Sequence, residues 1–200
     1  RKPIQTSCLP LSGKDKLIKR MRAATKQGSK IYWICPLIEE SENLDLNAVM
    51  ETYEDLSEHF GQDKVGCLHG KLSAIKKQEQ IQAFKDSKTS ILVSTTVVEV
   101  GVDIPDADIM VIENAERFGL AQLHQLRGRI GRGTKESYCI LLHKDKIQDV
   151  SSQRLQVLVD SQDGFKIAEE DLVIRGPGEI MGAQQTGIVP MKYTNLVRDS

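Results

Sequence analysis

The chain carries almost no net charge. Its 27 lysines and arginines are balanced by 28 aspartates and glutamates, which leaves −1 over 200 residues. There is no global basic field, so any contact with nucleic acid must be local rather than a polycationic coat. Cysteine is scarce and unpaired in sequence. Cys8, Cys35, Cys67 and Cys139 form no CxxC, and three of them sit inside apolar runs. That pattern predicts buried, reduced thiols of a cytoplasmic protein and excludes a disulfide scaffold. No apolar run approaches the ~18 residues of a membrane span, and no signal-peptide pattern is visible.

Several catalytic signatures are also missing. A P-loop requires GxxxxGK[ST], whose backbone N–H groups cradle phosphates. Gly13-Lys14 has Cys8 in place of the first glycine and is followed by Asp15; Gly70-Lys71 has Val65 there and is followed by Leu72. This chain alone therefore has no triphosphate cradle. It also lacks GxSxG, HExxH and any His or Cys pair at metal spacing, so no metal site is expected. His59, His69, His124 and His143 are isolated and read as structural or surface residues. The chain opens on Arg1 rather than Met, which reads as a piece of a longer polypeptide.

What is present is an alternation. Segments 30–35, 65–69, 90–95, 108–113 and 138–143 are short and nearly continuously apolar, as strands covered on both faces are, and 4–9 adds a further short one. Between them run amphipathic stripes: Leu17, Met21 and Ala24; Leu46, Val49, Tyr53, Leu56 and Phe60; Ile81 and Phe84; Leu123, Leu126 and Ile130. The fold class is α/β, a mainly parallel sheet with helices on both faces. Its working groups are expected at the carboxyl ends of the strands. Residues 150–172 read as two short helices, with Leu155, Leu158 and Val159 on the first and Ile167, Ala168 and Leu172 on the second. The glycine-rich 175–187 reads as a loop. The expected division is 1–145 and 146–200.

The stretch "QLHQLRGRIGRG", 122–133, is unusual in holding three arginines and three glycines. On a continuous helix Gln122, Gln125, Arg129 and Arg132 share one face. Two interior glycines then cost roughly 2 kcal/mol, more than the ~0.3–1 kcal/mol that each arginine gains from the helix dipole. Helix stability alone does not explain the composition, even with Gly133 as a cap, whereas two fixed guanidinium forks suit a polyphosphate transition state. Upstream, "STTVVEVGVD" puts Thr95 and Thr96 at the end of a buried strand, where hydroxyls suit a phosphodiester backbone. Gly101 and Asp103 follow and could hold a ribose hydroxyl.

Together, "STTVVEVGVD" and "QLHQLRGRIGR" resemble motifs V and VI of superfamily 2 helicases. Gln125, Gly128, Arg129, Gly131 and Arg132 fill the QxxGRxGR pattern. "YWICPLIEESE" (32–42) is similar to motif IV, and "LHGKLS" (68–73) to motif IVa. "ERFGLAQLHQLRGRIGRG", "DGFKIAEEDLVIRGPGE" and "GAQQTG" look like the RecG family of ATP-dependent DNA helicases, over essentially the whole chain.

The resemblance implies a second RecA-like motor domain followed by a translocation hairpin and loop. Arg129 and Arg132 would be catalytic arginine fingers, with Gly101, Asp103 and Gln125 near the nucleotide. Pro36, His69, Gly70, Thr95 and Thr96 would lie along the DNA, and Arg154, Arg175 and Gln185 would couple nucleotide state to movement. Gln184 stands where the family usually has a basic residue. ATP with Mg2+ would be bound mainly by a first motor domain that this chain lacks. The partners implied are that domain, a wedge domain of the same polypeptide and branched double-stranded DNA, with no membrane. Two other readings stay open at this point: the equivalent domain of the transcription-repair coupling factor, and a non-catalytic α/β binding module.

Overall fold

The computed structural model describes residues 2–36, 42–95 and 107–182, with the side chains of 42–43 and 176–182 outside the description. Six strands form one sheet: β1 (Gln5–Pro10), β2 (Ile31–Cys35), β3 (Val65–Leu68), β4 (Ile91–Thr95), β5 (Ile109–Ile112) and β6 (Tyr138–His143). They lie in the order β1-β6-β5-β2-β4-β3, and every pairing is parallel. The helices are α1 (Lys14–Lys26), α2 (Glu42–Phe60), α3 (Ala74–Lys85), α4 (Leu120–Arg127), α5 (Asp149–Asp160) and α6 (Gly164–Gly182).

Successive strand residues point to opposite faces, so the apolar runs divide between two cores. Ile31, Trp33, Ile91, Val93, Ile109 and Val111 meet Leu17, Ile18 and Met21 of α1 with Val49 and Leu56 of α2. Their neighbours Tyr32, Ile34, Leu92, Met110 and Ile112 meet Phe84 of α3, Leu120, Leu123 and Leu126 of α4, Leu155 and Leu158 of α5, and Ile167 of α6. The hairpin thus shares a core with the sheet. This two-sided cover is why the strands read as unbroken apolar runs.

Two expectations change here. The α6 helix does not stop before the glycine-rich stretch but continues to Gly182, through Gly176-Pro177-Gly178. Glycine and proline lower helical preference, but that preference is a weak prior which the surrounding structure overrides. Of its expected stripe, Ile167 is buried while Ala168 and Leu172 are exposed, because α6 meets the core near its start.

The second change concerns the arginine stretch. The α4 helix ends at Arg127, with Gly128 as its C-cap, and Gly131 has φ +75°. Gln122 and Gln125 remain on the exposed side of α4, but Arg129 and Arg132 lie beyond its end, so the four do not share a helix face. Gly133 is not the cap either. The glycines therefore do not weaken a helix interior. They end the helix and turn the chain.

Candidate functional site

Because the strands are parallel, all their carboxyl ends lie on one edge, and β2, β4 and β3 are neighbours there. Register pairs Cys35 with Thr95 and Leu68 with Ser94. Pro36, Thr95, His69 and Gly70 are thereby brought to one rim. Pro36 and Thr95 are buried, His69 is half-buried and Gly70 is exposed. Ser94 Oγ donates to the Thr95 carbonyl at 2.8 Å. Thr96, Gly101 and Asp103 lie outside the described residues, as do Gln184 and Gln185.

The rim is more basic than its sequence segment suggested. Leu72 N–H closes a turn onto the His69 carbonyl, and Ser73 caps α3 by accepting from Lys76 N–H at 3.3 Å. Lys77 Nζ donates to the Gly70 carbonyl at 3.2 Å. Lys71, Lys76 and Lys77 thus surround the amino end of α3, which is itself an anion-favouring position. Burial, with Lys77 and Lys71 nearby, pushes the His69 imidazole below its ordinary value. Beneath the same edge, Glu113 accepts from Lys14 Nζ at 2.7 Å, Trp33 Nε1 at 3.0 Å and Thr52 Oγ1 at 3.3 Å. Burial alone would push the Lys14 ammonium down, but Glu113 and Asp55 hold it above its ordinary value. This hub ties α1, α2, β2 and β5 together just below Pro36. Neither the lysines nor Glu113 stood out in sequence, because a charged residue on a helix reads as a solvated one.

The arginine loop lies at the opposite edge. The α4 helix starts after the carboxyl end of β5, runs back across the sheet, and delivers its C-terminus to the amino edge. There a Cβ on Gly131 would lie 3.0 Å from Ile4 Cγ1 and 3.5 Å from Ser137 Oγ, just ahead of β1 and β6. Arg129 is half-buried and Arg132 exposed on this loop, one turn of chain beyond the exposed Gln125. The rim residues thus stand at the carboxyl ends of the strands, whereas the arginine loop stands at the amino ends. Arg129 N–H still donates to the Leu126 carbonyl at 2.9 Å, so the loop leaves the helix in a defined direction.

Sequence reasoning missed Arg127, the remaining arginine of the stretch. Its guanidinium donates to the carbonyls of Leu158 and Ser161, to Thr6 Oγ1 at 3.2 Å, and lies 3.3 Å from His124 Nδ1. Only 2% of the residue is exposed. A signal was available: Leu120, Leu123, Arg127 and Ile130 fall at i, i+3, i+7 and i+10, which places Arg127 on the apolar stripe.

Of the expected coupling residues, Arg175 pairs with Asp171 one turn earlier in α6 at 2.8 Å. Arg154 lies on α5 with Nε buried and lacking a hydrogen-bond partner among the described residues; Asp171 Oδ1 is in the same condition. Among the described residues no hydrogen bond or ion pair runs directly between Arg154 and Arg175. Among the described residues no group of His, Cys, Asp and Glu is arranged to hold a metal ion, and no helix is long and apolar enough to cross a membrane.

Comparison with known proteins bears on this geometry. Residues 13–134 match the helicase conserved C-terminal domain, and residues 161–200 match the C-terminal part of domain 3 of the ATP-dependent DNA helicase RecG. The RecG proteins of Pasteurella multocida and Escherichia coli K12 are each 48% identical over all 200 residues, and that of Synechocystis is 49% identical. The chain spans 29% of the first two and 24% of the third, so under a third of each relative. A solved structure of RecG bound to a three-way DNA junction superposes with TM-score 0.73 at 44% identity, covering 90% of this chain and 23% of that one. The Escherichia coli DEAD-box protein SrmB, at 20% identity and TM-score 0.51 over 80% of this chain and 85% of its own, shares the RecA-like fold. The chain belongs to the helicase conserved C-terminal domain family, and over its whole length it is similar to RecG helicases.

Proposed function

We propose that this chain is the second motor domain, with the translocation hairpin, of an ATP-dependent DNA helicase that translocates on double-stranded DNA. The whole enzyme would remodel branched DNA, such as stalled forks and Holliday junctions, in recombination and repair in the cytoplasm. Residues 1–145 form the motor domain in this reading and 146–200 the hairpin and its following segment. The observation that carries the reading is a pinned loop presenting Arg129 and Arg132 at one sheet edge, in a chain 48% identical to RecG over its full length.

The division of labour follows from the two edges. Arg129 and Arg132 are always charged and planar, so they can meet the developing charge of a transferring phosphoryl group, with Gln125 beside them. ATP and Mg2+ are held mainly by the first motor domain, since this chain lacks the P-loop. When bound there, ATP would supply the phosphoryl group that the arginines meet once the two domains have closed, and its hydrolysis would release the closed arrangement. At the other edge Pro36, His69, Gly70, Thr95 and the lysines around α3 meet the phosphate backbone, and Thr96, outside the described residues, is assigned the same role. Such contacts position a duplex without reading its sequence. Arg154, Arg175 and Gln185 link the hairpin to the nucleotide state.

The test is unwinding of a three-way junction by the full-length protein. The expected outcome is strand separation that requires ATP and Mg2+. Junction binding with no ATP-dependent separation would replace the motor reading with a binding module.

A further inference from the structure

Arg127 is the arginine of the stretch that the finger assignment leaves unused, and its guanidinium is the buried one. Leu158 lies in the last turn of α5 and Ser161 is that helix's C-cap. Carbonyls at a helix end have no partner within the helix, and a cation there also faces the negative end of the dipole. Arg127 supplies both needs from α4, donating to the Leu158 carbonyl and, at 2.9 Å, to the Ser161 carbonyl. Thr6 Oγ1 and the His124 ring complete its surroundings, so the charge is held by helix-end carbonyls, a hydroxyl and an imidazole.

A second link runs in parallel. Gly131 of the arginine loop packs against the Ile4 side chain. The Ile4 backbone is in turn held at both ends by the Gln162 amide, with N–H to Oε1 at 3.2 Å and Nε2 to the carbonyl at 3.0 Å. Gln162 directly follows Ser161. The elbow between α5 and α6 therefore grips the end of α4 through Arg127 and the arginine loop through Ile4.

We propose that Arg127 is a positioning residue that makes the arginine loop and the α5–α6 elbow move as one unit. Shifting the elbow alone would strip two buried carbonyls of their donor, whereas moving α4's end with it keeps both bonds. A planar fork serves two carbonyls at once, which a lysine's point charge does not. The proposal rests on the helicase reading above, and its test separates the two.

In the full-length protein, hydrogen exchange is followed with a non-hydrolysable ATP analogue and three-way junction DNA. The unaltered protein is expected to change protection at 155–165 together with 127–135. A response at 127–135 with none at 155–165 overturns the proposal without any variant. Arg127→Lys and Arg127→Gln are then expected to lose the elbow response and to unwind about tenfold fewer base pairs per ATP, a size usual for coupling between sites. These are compared at a temperature where circular dichroism shows each variant folded. Variants that keep both the elbow response and the base pairs per ATP overturn the proposal; if neither variant folds, the unaltered protein decides. Absence of ATP-dependent unwinding by the unaltered protein defeats instead the helicase reading.

Discussion

Replacing Gly131 with alanine should destabilise the chain far more than the same change at Gly128, three residues away. Gly131 has φ +75°, where an L side chain costs ~1–2 kcal/mol. Its new Cβ would lie 3.0 and 3.3 Å from two carbons of Ile4, itself 8% exposed and held through its backbone by Gln162. Ile4 must leave its rotamer or shift by tenths of an ångström, adding ~0.5–1.5 kcal/mol. Loss of unfolded-chain freedom returns ~0.4–1 kcal/mol. The net is about 2 kcal/mol, which for a chain of this size lowers Tm by about 4–8 °C. Gly128 has φ −64° and ψ −12°, open to alanine, and its Cβ would meet the Gln125 carbonyl oxygen at 3.3 Å. Gly128→Ala should therefore stay within about 0.5 kcal/mol of the parent, as unstrained surface changes do. Thermal unfolding by circular dichroism measures both. Equal midpoints for Gly131→Ala and the parent would refute the pinned-loop geometry.

The other expected outcomes concern activity and pH. The 200-residue chain alone should show no ATP hydrolysis in a phosphate-release assay, since neither Gly-Lys pair completes a P-loop; robust turnover by contaminant-free protein would contradict the division of labour. In the full-length protein, Arg154→Ala, Arg175→Ala and Gln185→Ala should each lower junction unwinding far more than DNA-stimulated ATP turnover. Proportional losses in all three would make the hairpin a stabilising appendage. Burial first, then Arg127, hold the His124 imidazole below its ordinary value against the opposing pull of Asp163. The unfolded chain thus binds the proton more readily, so the stability that neutral His124 contributes is complete above about pH 6.5 and is lost as pH falls below it. Denaturant titrations from pH 7 to 5.5 should show that His124→Gln flattens this slope, and an unchanged slope would remove His124 from the account.

Much of the fold was legible because period-2 and helical spacing are set by burial itself. The runs around Trp33, Val93 and Val111 are apolar on both faces since helices cover both, and each became a central strand. The arginine stretch misled because Leu123, Leu126 and Ile130 keep helical spacing past the helix's end. Ile130 is buried, but from the turn after Gly128 rather than from α4. Spacing reports which residues face the core and is silent on where a glycine turns the chain. For the same reason Arg129 and Arg132 were identified as a pair while their edge of the sheet was misplaced. The apolar stripe pointed to Arg127 being buried, but, His124 apart, its partners and those of Glu113 lie 31 or more residues away, so only the folded chain brings them together. The lysines at the rim escaped notice because sequence does not reveal that α3 begins beside His69 and Gly70.

The central claim is that the loop after α4 presents Arg132, with Arg129, to a phosphoryl group held by a neighbouring domain. The most direct measurement is the DNA-stimulated ATP turnover rate of the full-length protein carrying Arg132→Lys, with junction binding measured alongside. Positive charge is kept and the planar fork is lost, so the account predicts a fall of ~10³ or more in rate, the scale of an arginine finger, with junction affinity largely retained. Turnover close to that of the unaltered protein would contradict the account and reduce Arg132 to a structural residue.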